Sequence, residues 1–443
     1  MAERVRNSSL KRLLTEAQLK QTAFARAVNE VSAESGARTS YRQPAVSYWL
    51  AGAVPEPAVQ NAIREVLARR LGRLVTHADA GFPAPPPGTA TPTGTVDSLL
   101  ELGSQDMDPT RRGVIGASLF SVALTIPGWQ DVIGREDAVR SGRMARIGMP
   151  EVNAVVRMTD RLSSLDDEFG GRHARPMAAA YLVNTVGPYL RADGPDAVRS
   201  AMMSAASDLC YLTGYMAVDE GRHGLAQQYY LRALELAGIA GDHLTYCTTL
   251  RGMSVQAVDL GHGRRAMQLA DAAAAAAPVA GPRMQAFLAG QQAHSAAALG
   301  DRDSALRFMR DAEKAMDIAE SESKAFGSYD PSSLAYHLSQ VRYALRDVKG
   351  SVAAMQESDR TRHDVYQRGR VRHRATLAER QFELGHLEAA CATWHQALDD
   401  YPNVQSGRAD ERMRTMLRMI ARHPGNQHVQ GLYERARILV PAA

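Results

Sequence analysis

At 443 residues with 45% hydrophobic content, the chain is long enough for two to four domains and too apolar for intrinsic disorder. Its formal charge of +4 is uneven: residues 1–75 hold 12 Arg and Lys against 6 Asp and Glu, which points to a polyanion partner for that part and another task for the near-neutral rest. Cys210, Cys247 and Cys391 form no CxxC pair, which excludes a disulfide framework and a zinc knuckle and fits a reducing, cytoplasmic setting.

In chain order, the first stretch, MAERVRNSSLKRLL, lacks the apolar run of a secretion signal. Four helices are then predicted in residues 7–75: LKRLLTEAQL, TAFARAVNEV, PAVSYWLAG and PAVQNAIREVLARRLG. Between the second and third lies VSAESGARTSYR, a polar turn longer than such units usually need. In PAVSYWLAG, Gln43 is expected at the cap and Pro44 in the first turn, where its missing N–H costs nothing. Val46, Trp49 and Leu50 share an apolar face that is expected to enter a core with Phe24, and Gly52 ends the helix. Gln43, Ala45, Ser47 and Tyr48 are left to meet base edges, with Arg38 and Arg42 placed for phosphates.

Residues 76–97 contain Pro83, Pro85, Pro86, Pro87 and Gly88, too many breakers for a helix, and read as a flexible linker. The apolar run 113–126 has 14 residues, short of the roughly 18 of a spanning helix, and is expected as a buried or interface helix with no membrane role. From residue 98 to 443 the pattern is helical and repetitive. Gly221, Gly261, Gly300 and Gly385 are each followed five residues later by Ala226, Ala266, Ala305 and Ala390, and twelve later by Ala233, Ala273, Ala312 and Ala397. The wide last gap leaves room for a degenerate unit at 344–356. Glycine ends one helix before a tight turn, and alanine lets the paired helices approach, so each unit must stack on its neighbours. An irregular helical bundle is the alternative.

The residues carry a resemblance. QTAFARAV and AVSYWLAGAVP resemble the two motif helices of the phage-repressor-like (Xre-type) helix-turn-helix, with Gln21, Phe24, Ala25, Val46, Ser47, Trp49, Gly52 and Pro55 in register. Lys20, Tyr48 and Leu50 depart from its common residues. The repeats, with Pro278 and Pro402 near second-helix ends, resemble tetratricopeptide repeats, although the units are longer. The combination is similar to actinobacterial regulators that join these two parts, and the excess of Arg over Lys, 47 to 5, agrees with that. The resemblance implies an all-α fold, a small helix-turn-helix domain (1–75) tethered by a Pro-rich linker (76–97) to a helical-repeat α-solenoid (98–443). It also implies a transcriptional regulator and adds Lys20 and Gln21 to the DNA-binding set.

The partners expected are double-stranded DNA with a palindromic operator, a second copy of the chain as a homodimer, and a signalling peptide or other small effector. The effector would lie on the concave face of the repeats, where Tyr211, Tyr215, Arg251, His294, Arg342 and Glu379 are expected to point inward and suit an acidic group. No HExxH, GxSxG, P-loop or GxGxxG occurs, so no enzyme and no cofactor is expected, and the His243/Cys247 pair reads as core packing rather than a metal site. The alternative function is a protein-interaction scaffold whose helix-turn-helix does not bind DNA.

Overall fold

Leu10, Leu13 and Leu14 recur at helical spacing and put one face of α1 (Ser8–Glu16) into a core. That core is shared with α2 (Gln21–Glu34), α3 (Gln43–Leu50) and α4 (Pro57–Leu71) through Phe24, Val28, Val46, Trp49, Ile63 and Leu67. The computed structural model describes residues 6–34, 39–83, 94–107, 146–277, 280–319, 329–362 and 366–440, and no strand occurs among them. The architecture is all-α, a small N-terminal unit followed by helical repeats. Trp49 is wedged edge-on between Phe24 and Tyr41, with ring centroids 6.5 and 5.2 Å away. Arg42, in extended conformation, takes the cap position of α3, so Gln43 is already helical and Pro44 sits in the first turn. The long turn before α3 is held by Asn29, which donates to Tyr41 O and accepts from Tyr41 N, both at 2.8 Å.

The expected linker is folded at both ends. Residues 76–82 turn back onto the N-terminal core, with Val75, Ala80 and Phe82 buried. Asn7 pins them: its Oδ1 accepts from Leu10 N and its Nδ2 donates to Ala80 O, each at 2.9 Å, so one side chain caps α1 and holds the turn. At the other end α5 (Thr95–Met107) buries Val96, Leu99 and Leu102 against the repeats. Buried apolar side chains thus extend the two packed units into the expected linker from both sides. The run 113–126 and Pro278 lie outside the described residues.

The second part opens with α6 (Met149–Phe169) and α7 (Gly171–Tyr181), which continues through a π turn (Leu182–Val186) into the short α8 (Gly187–Leu190). Helix pairs follow: α9 (Asp196–Asp219) with α10 (His223–Ala240), α11 (His243–Asp259) with α12 (Gly263–Ala275), α13 (Pro282–Leu299) with α14 (Arg302–Asp317), α15 (Pro331–Ala344) with α16 (Val348–Thr361), and α17 (Gln367–Glu383) with α18 (Leu387–Asp400). The chain ends on α19 (Gly407–Ile420) and α20 (Gln427–Leu439).

The turn inside each of these five pairs has one left-handed residue, Gly221, Gly261, Gly300, Arg346 or Gly385, with φ of 78°, 78°, 81°, 68° and 82°. The next N–H bonds back to the carbonyl five residues earlier, as in Asp301 N to Ala296 O at 3.0 Å, closing the helix end. The degenerate unit is thus real and centred on Arg346. Its positions five and twelve residues on are Ser351 and Ser358, fully buried like the alanines of the other pairs. Each serine exchanges hydroxyl-to-carbonyl bonds with a serine of the facing helix, Ser351 with Ser339 and Ser358 with Ser332, at 2.7–2.8 Å. Small size keeps the helices close, and the backbone supplies the partner that a buried hydroxyl needs.

The stack curls until its end meets its beginning. Gln405 N donates to Phe169 O at 2.6 Å and accepts Arg172 N at its carbonyl at 3.1 Å, while Ser406 Oγ donates to Asp219 Oδ1 at 2.8 Å. Gly407 allows this contact, because a Cβ there would lie 2.8 Å from Glu220 O. No described helix is long and apolar enough to cross a membrane.

Candidate functional site

In the N-terminal unit, burying Val46 and Trp49 turns Arg42, Gln43, Pro44, Ser47 and Tyr48 to solvent, with Tyr48 61% exposed. Ala45 is half-buried against the core. Ser47 Oγ donates to Gln21 Oε1 at 2.9 Å, which ties α3 to the start of α2. Gln43, Pro44, Ser47, Tyr48 and Ala51 line a shallow groove, and Gln43 also borders a second depression formed with Lys11, Thr15, Lys20, Gln21 and Thr22. Lys11, Thr15 and Thr22 were absent from the sequence-derived set; the signal was the basic end of the first helix pattern. Arg38 lies outside the described residues.

Part of the basic charge of this unit is held by its own acids and carbonyls. On α4, Arg69 is bound to Glu34 and Glu65, and Arg70 donates to Ala17 O. Arg73, just after that helix, pairs with Glu16. Those charges are spent on structure. Lys11, Lys20 and Arg42 have no carboxylate within ion-pair distance among the described residues, and all three are exposed beside the two depressions.

Curling the repeats forms a second site, a partly open chamber of about 230 Å³. Its wall comes from α6 and the first helix of each pair, with helical spacings Tyr211/Tyr215, Arg251/Val255, Gln291/His294, Ser333/His337 and Arg368/Arg372. The seam is acidic and satisfied by arginine. Arg368 donates to Asp166 O and Asp167 Oδ1, both at 3.0 Å, and lies 3.6 Å from Asp219. Arg408 pairs with Asp259. Opposite stand Arg251, Arg362 and Arg372, none with a carboxylate within 4 Å among the described residues. The Arg251 guanidinium lies over Phe287, 4.1 Å from the ring centroid, and donates toward His337 Nε2 at 3.1 Å. Arg372 lies over Tyr336 at 5.5 Å.

Burial dominates the titration of the chamber. It pushes the Asp166 carboxyl up to about 8 against the pull of Arg368. Burial, helped by Arg251, Arg380 and Arg372 against Asp259, takes His294 down to about 4, and burial among arginines holds His337 and His373 well below the usual histidine range. These imidazoles are neutral at pH 7.

Of the residues expected on the concave face, Tyr211, Tyr215, Arg251 and His294 line the chamber, and Arg342 and Glu379 do not. Arg342 follows the inward-facing His337 by five residues, which turns it off that face, and it donates to Gly350 O at 3.2 Å. Glu379 shares the face of Arg372 but lies two turns, about 10 Å, further along; there Arg412 takes its carboxylate at 2.7 Å. The residues missed are Arg362, Arg368, Arg372, His373, His337 and Tyr336. Arg368, Arg372 and His373 leave a trace in the sequence, the run RGRVRHR, in which basic residues alternate with others along α17; Arg362, His337 and Tyr336 leave none. His243 and Cys247 bond to backbone carbonyls of Ala276 and Leu244, and no described group of three or more His, Cys, Asp or Glu could hold a metal.

A family model described as the SP15 N-terminal domain matches residues 10–83. The match ends at Pro83, one residue after the buried Phe82. No curated protein sequence matches the chain.

Proposed function

We propose that the chain is a cytoplasmic, DNA-binding transcriptional regulator whose N-terminal unit acts as a helix-turn-helix and whose tetratricopeptide-like repeat domain senses a small effector, mediates dimerisation, or both. The observation that carries this reading is the exposed face of α3, Gln43, Ser47 and Tyr48, flanked by the unpaired cations Lys11, Lys20 and Arg42. Amide and hydroxyl groups on a short helix are suited to base edges in the major groove, and free cations beside it to phosphates. The first N–H groups of α2, next to Lys20 and Thr22, add an anion-facing helix start. One such unit binds DNA weakly, with non-specific affinities of roughly 10⁻⁴ to 10⁻⁶ M. Two copies set about 34 Å apart on a palindromic operator solve this.

The test is selection and sequencing of random duplex DNA bound by the full-length protein at two salt concentrations. A palindromic motif is expected. Arg42→Ala/Gln43→Ala should weaken binding at least tenfold, as the loss of a base contact and a phosphate contact implies. A scaffold reading draws on Tyr48 and Leu50, which stand where charged residues are common in the helix-turn-helix pattern, Tyr48 being solvent-exposed. On that reading the selection yields no motif and the double variant changes nothing.

A further inference from the structure

The chamber is lined by five arginines and five aspartates, but the two signs are unevenly paired. Arg368 is taken by Asp167 and Asp219, with the Asp166 carboxyl beside it, and Arg408 by Asp259. Asp330, the remaining lining carboxylate, accepts from Ser333 N at 2.7 Å as the cap of α15. Arg251, Arg362 and Arg372 are left without an ion-pair partner among the described residues. Buried hydrogen-bonding atoms are unpartnered on the same wall: Nε of Arg251, Nε of Arg362 and Nδ1 of His373, whose side chain is only 4% exposed. Folding a chain around such groups is costly unless something else meets them.

We infer that the chamber is a binding site for a small oxyanion, the carboxylate or phosphate end of a metabolite, held by Arg251, Arg362 and Arg372 with His294 and His373 beside it. Guanidinium forks match the planar oxygens of a carboxylate and the oxygens of a phosphate, and the rings of Phe287 and Tyr336 already hold two of the three in place. Water can satisfy the free N–H groups but leaves these three guanidinium charges without a counter-ion in contact. At about 230 Å³ the chamber lies below the roughly 300–1,000 Å³ of pockets for drug-sized molecules. The seam between residues 166–172 and 405–408 walls off one side of the concave face, which suits a compact molecule better than a peptide lying along the repeats. Such a ligand would span α11, the end of α16 and α17. It gives the effector of the proposed regulator a chemical class, and it rests on that reading for its regulatory consequence alone.

The test is calorimetric titration of the full-length protein, without DNA and at constant ionic strength, with inorganic phosphate, pyrophosphate and citrate as probes. At least one should bind saturably, and Arg251→Gln and Arg372→Gln should each weaken it about tenfold or more, while Arg307→Gln on the exposed side of α14 leaves it unchanged. With no anion present, Arg372→Gln should melt no lower than the wild type, because it removes an unpaired charge; a purely structural arginine would lower the melting temperature. If Arg372→Gln does not fold, Arg372→Lys, which keeps the charge and loses the fork, should show the weakened binding. Binding by none of the three probes, or equal binding by wild type and the Arg251 and Arg372 variants, overturns the inference. Because DNA is absent, that failure leaves the DNA-binding reading to its own test.

Discussion

Asp166 and His294 face the same chamber and give opposite dependences of stability on pH. Burial raises the Asp166 carboxyl to about 8 from 3.8, so between about pH 4 and 8 the native state holds a proton that the unfolded chain has lost. The contribution of Asp166 to folding therefore declines as pH rises through that window. His294 is depressed to about 4 from 6.5, again chiefly by burial, so its contribution is present above pH 6.5 and lost as pH falls toward 4. Above pH 6.5 the histidine slope is spent. We expect denaturant-measured stability to fall from pH 6.5 to 8 with a slope of up to about 1.4 kcal/mol per pH unit, and the slope to be absent in Asp166→Asn. A wild-type profile that is flat across this window would contradict the assignment. At this scale the sequence was a partial guide. Tyr211, Tyr215, Arg251 and His294 could be placed by repeat position, whereas Arg342 was one face off and Glu379 two turns too far along.

At the scale of elements, the turn inside each helix pair was the most legible feature, because it depends on one backbone conformation. Glycine adopts φ near +80° without penalty, and four of the five turns use it. Arg346 holds the same conformation with a side chain, and it is exposed with no side-chain bond. Left-handed backbone costs a non-glycine residue roughly 1–2 kcal/mol, partly offset by the greater freedom glycine gains on unfolding. Arg346→Gly is therefore expected to stabilise the protein by about 0.5–1 kcal/mol, read as a higher denaturant midpoint at unchanged m-value; a lower midpoint would show that the side chain makes a contribution in solution. The serine pairs of this unit were not legible. Ser351 and Ser358 look polar in sequence, and only the facing carbonyls of Ser339 and Ser332 make them core residues. The linker was misplaced at both ends for the same reason. Phe82 and Val96 are ordinary apolar residues beside a breaker-rich run, and what buries them lies far away in sequence.

At the scale of the molecule, ring closure decides whether a concave surface or a chamber exists. It rests on a backbone approach at Gly407, on the Gln405 bridge to Phe169 and Arg172, and on Arg368 among three aspartates. A methyl group at residue 407 would sit 2.8 Å from the Glu220 carbonyl, a backbone atom that cannot rotate away. Gly407→Ala is expected to cost about 1–3 kcal/mol, to raise hydrogen exchange at the Arg172 and Gln405 amides, and to increase the radius of gyration by small-angle scattering. Unchanged protection of those amides would mean that the seam tolerates the methyl group.

The sequence by itself determined the helical class, the periodic pairs and the apolar face of α3, because each depends on spacing within about one or two turns and on local backbone preference. The tertiary structure alone decided which cations are spent and which remain free. Arg368 and Arg372 are one turn apart on the same helix, yet the first is neutralised by aspartates some 150 to 200 residues away and the second meets none among the described residues. Ion pairing in the chamber is a property of which helices the curl brings together, and no spacing in the chain encodes it.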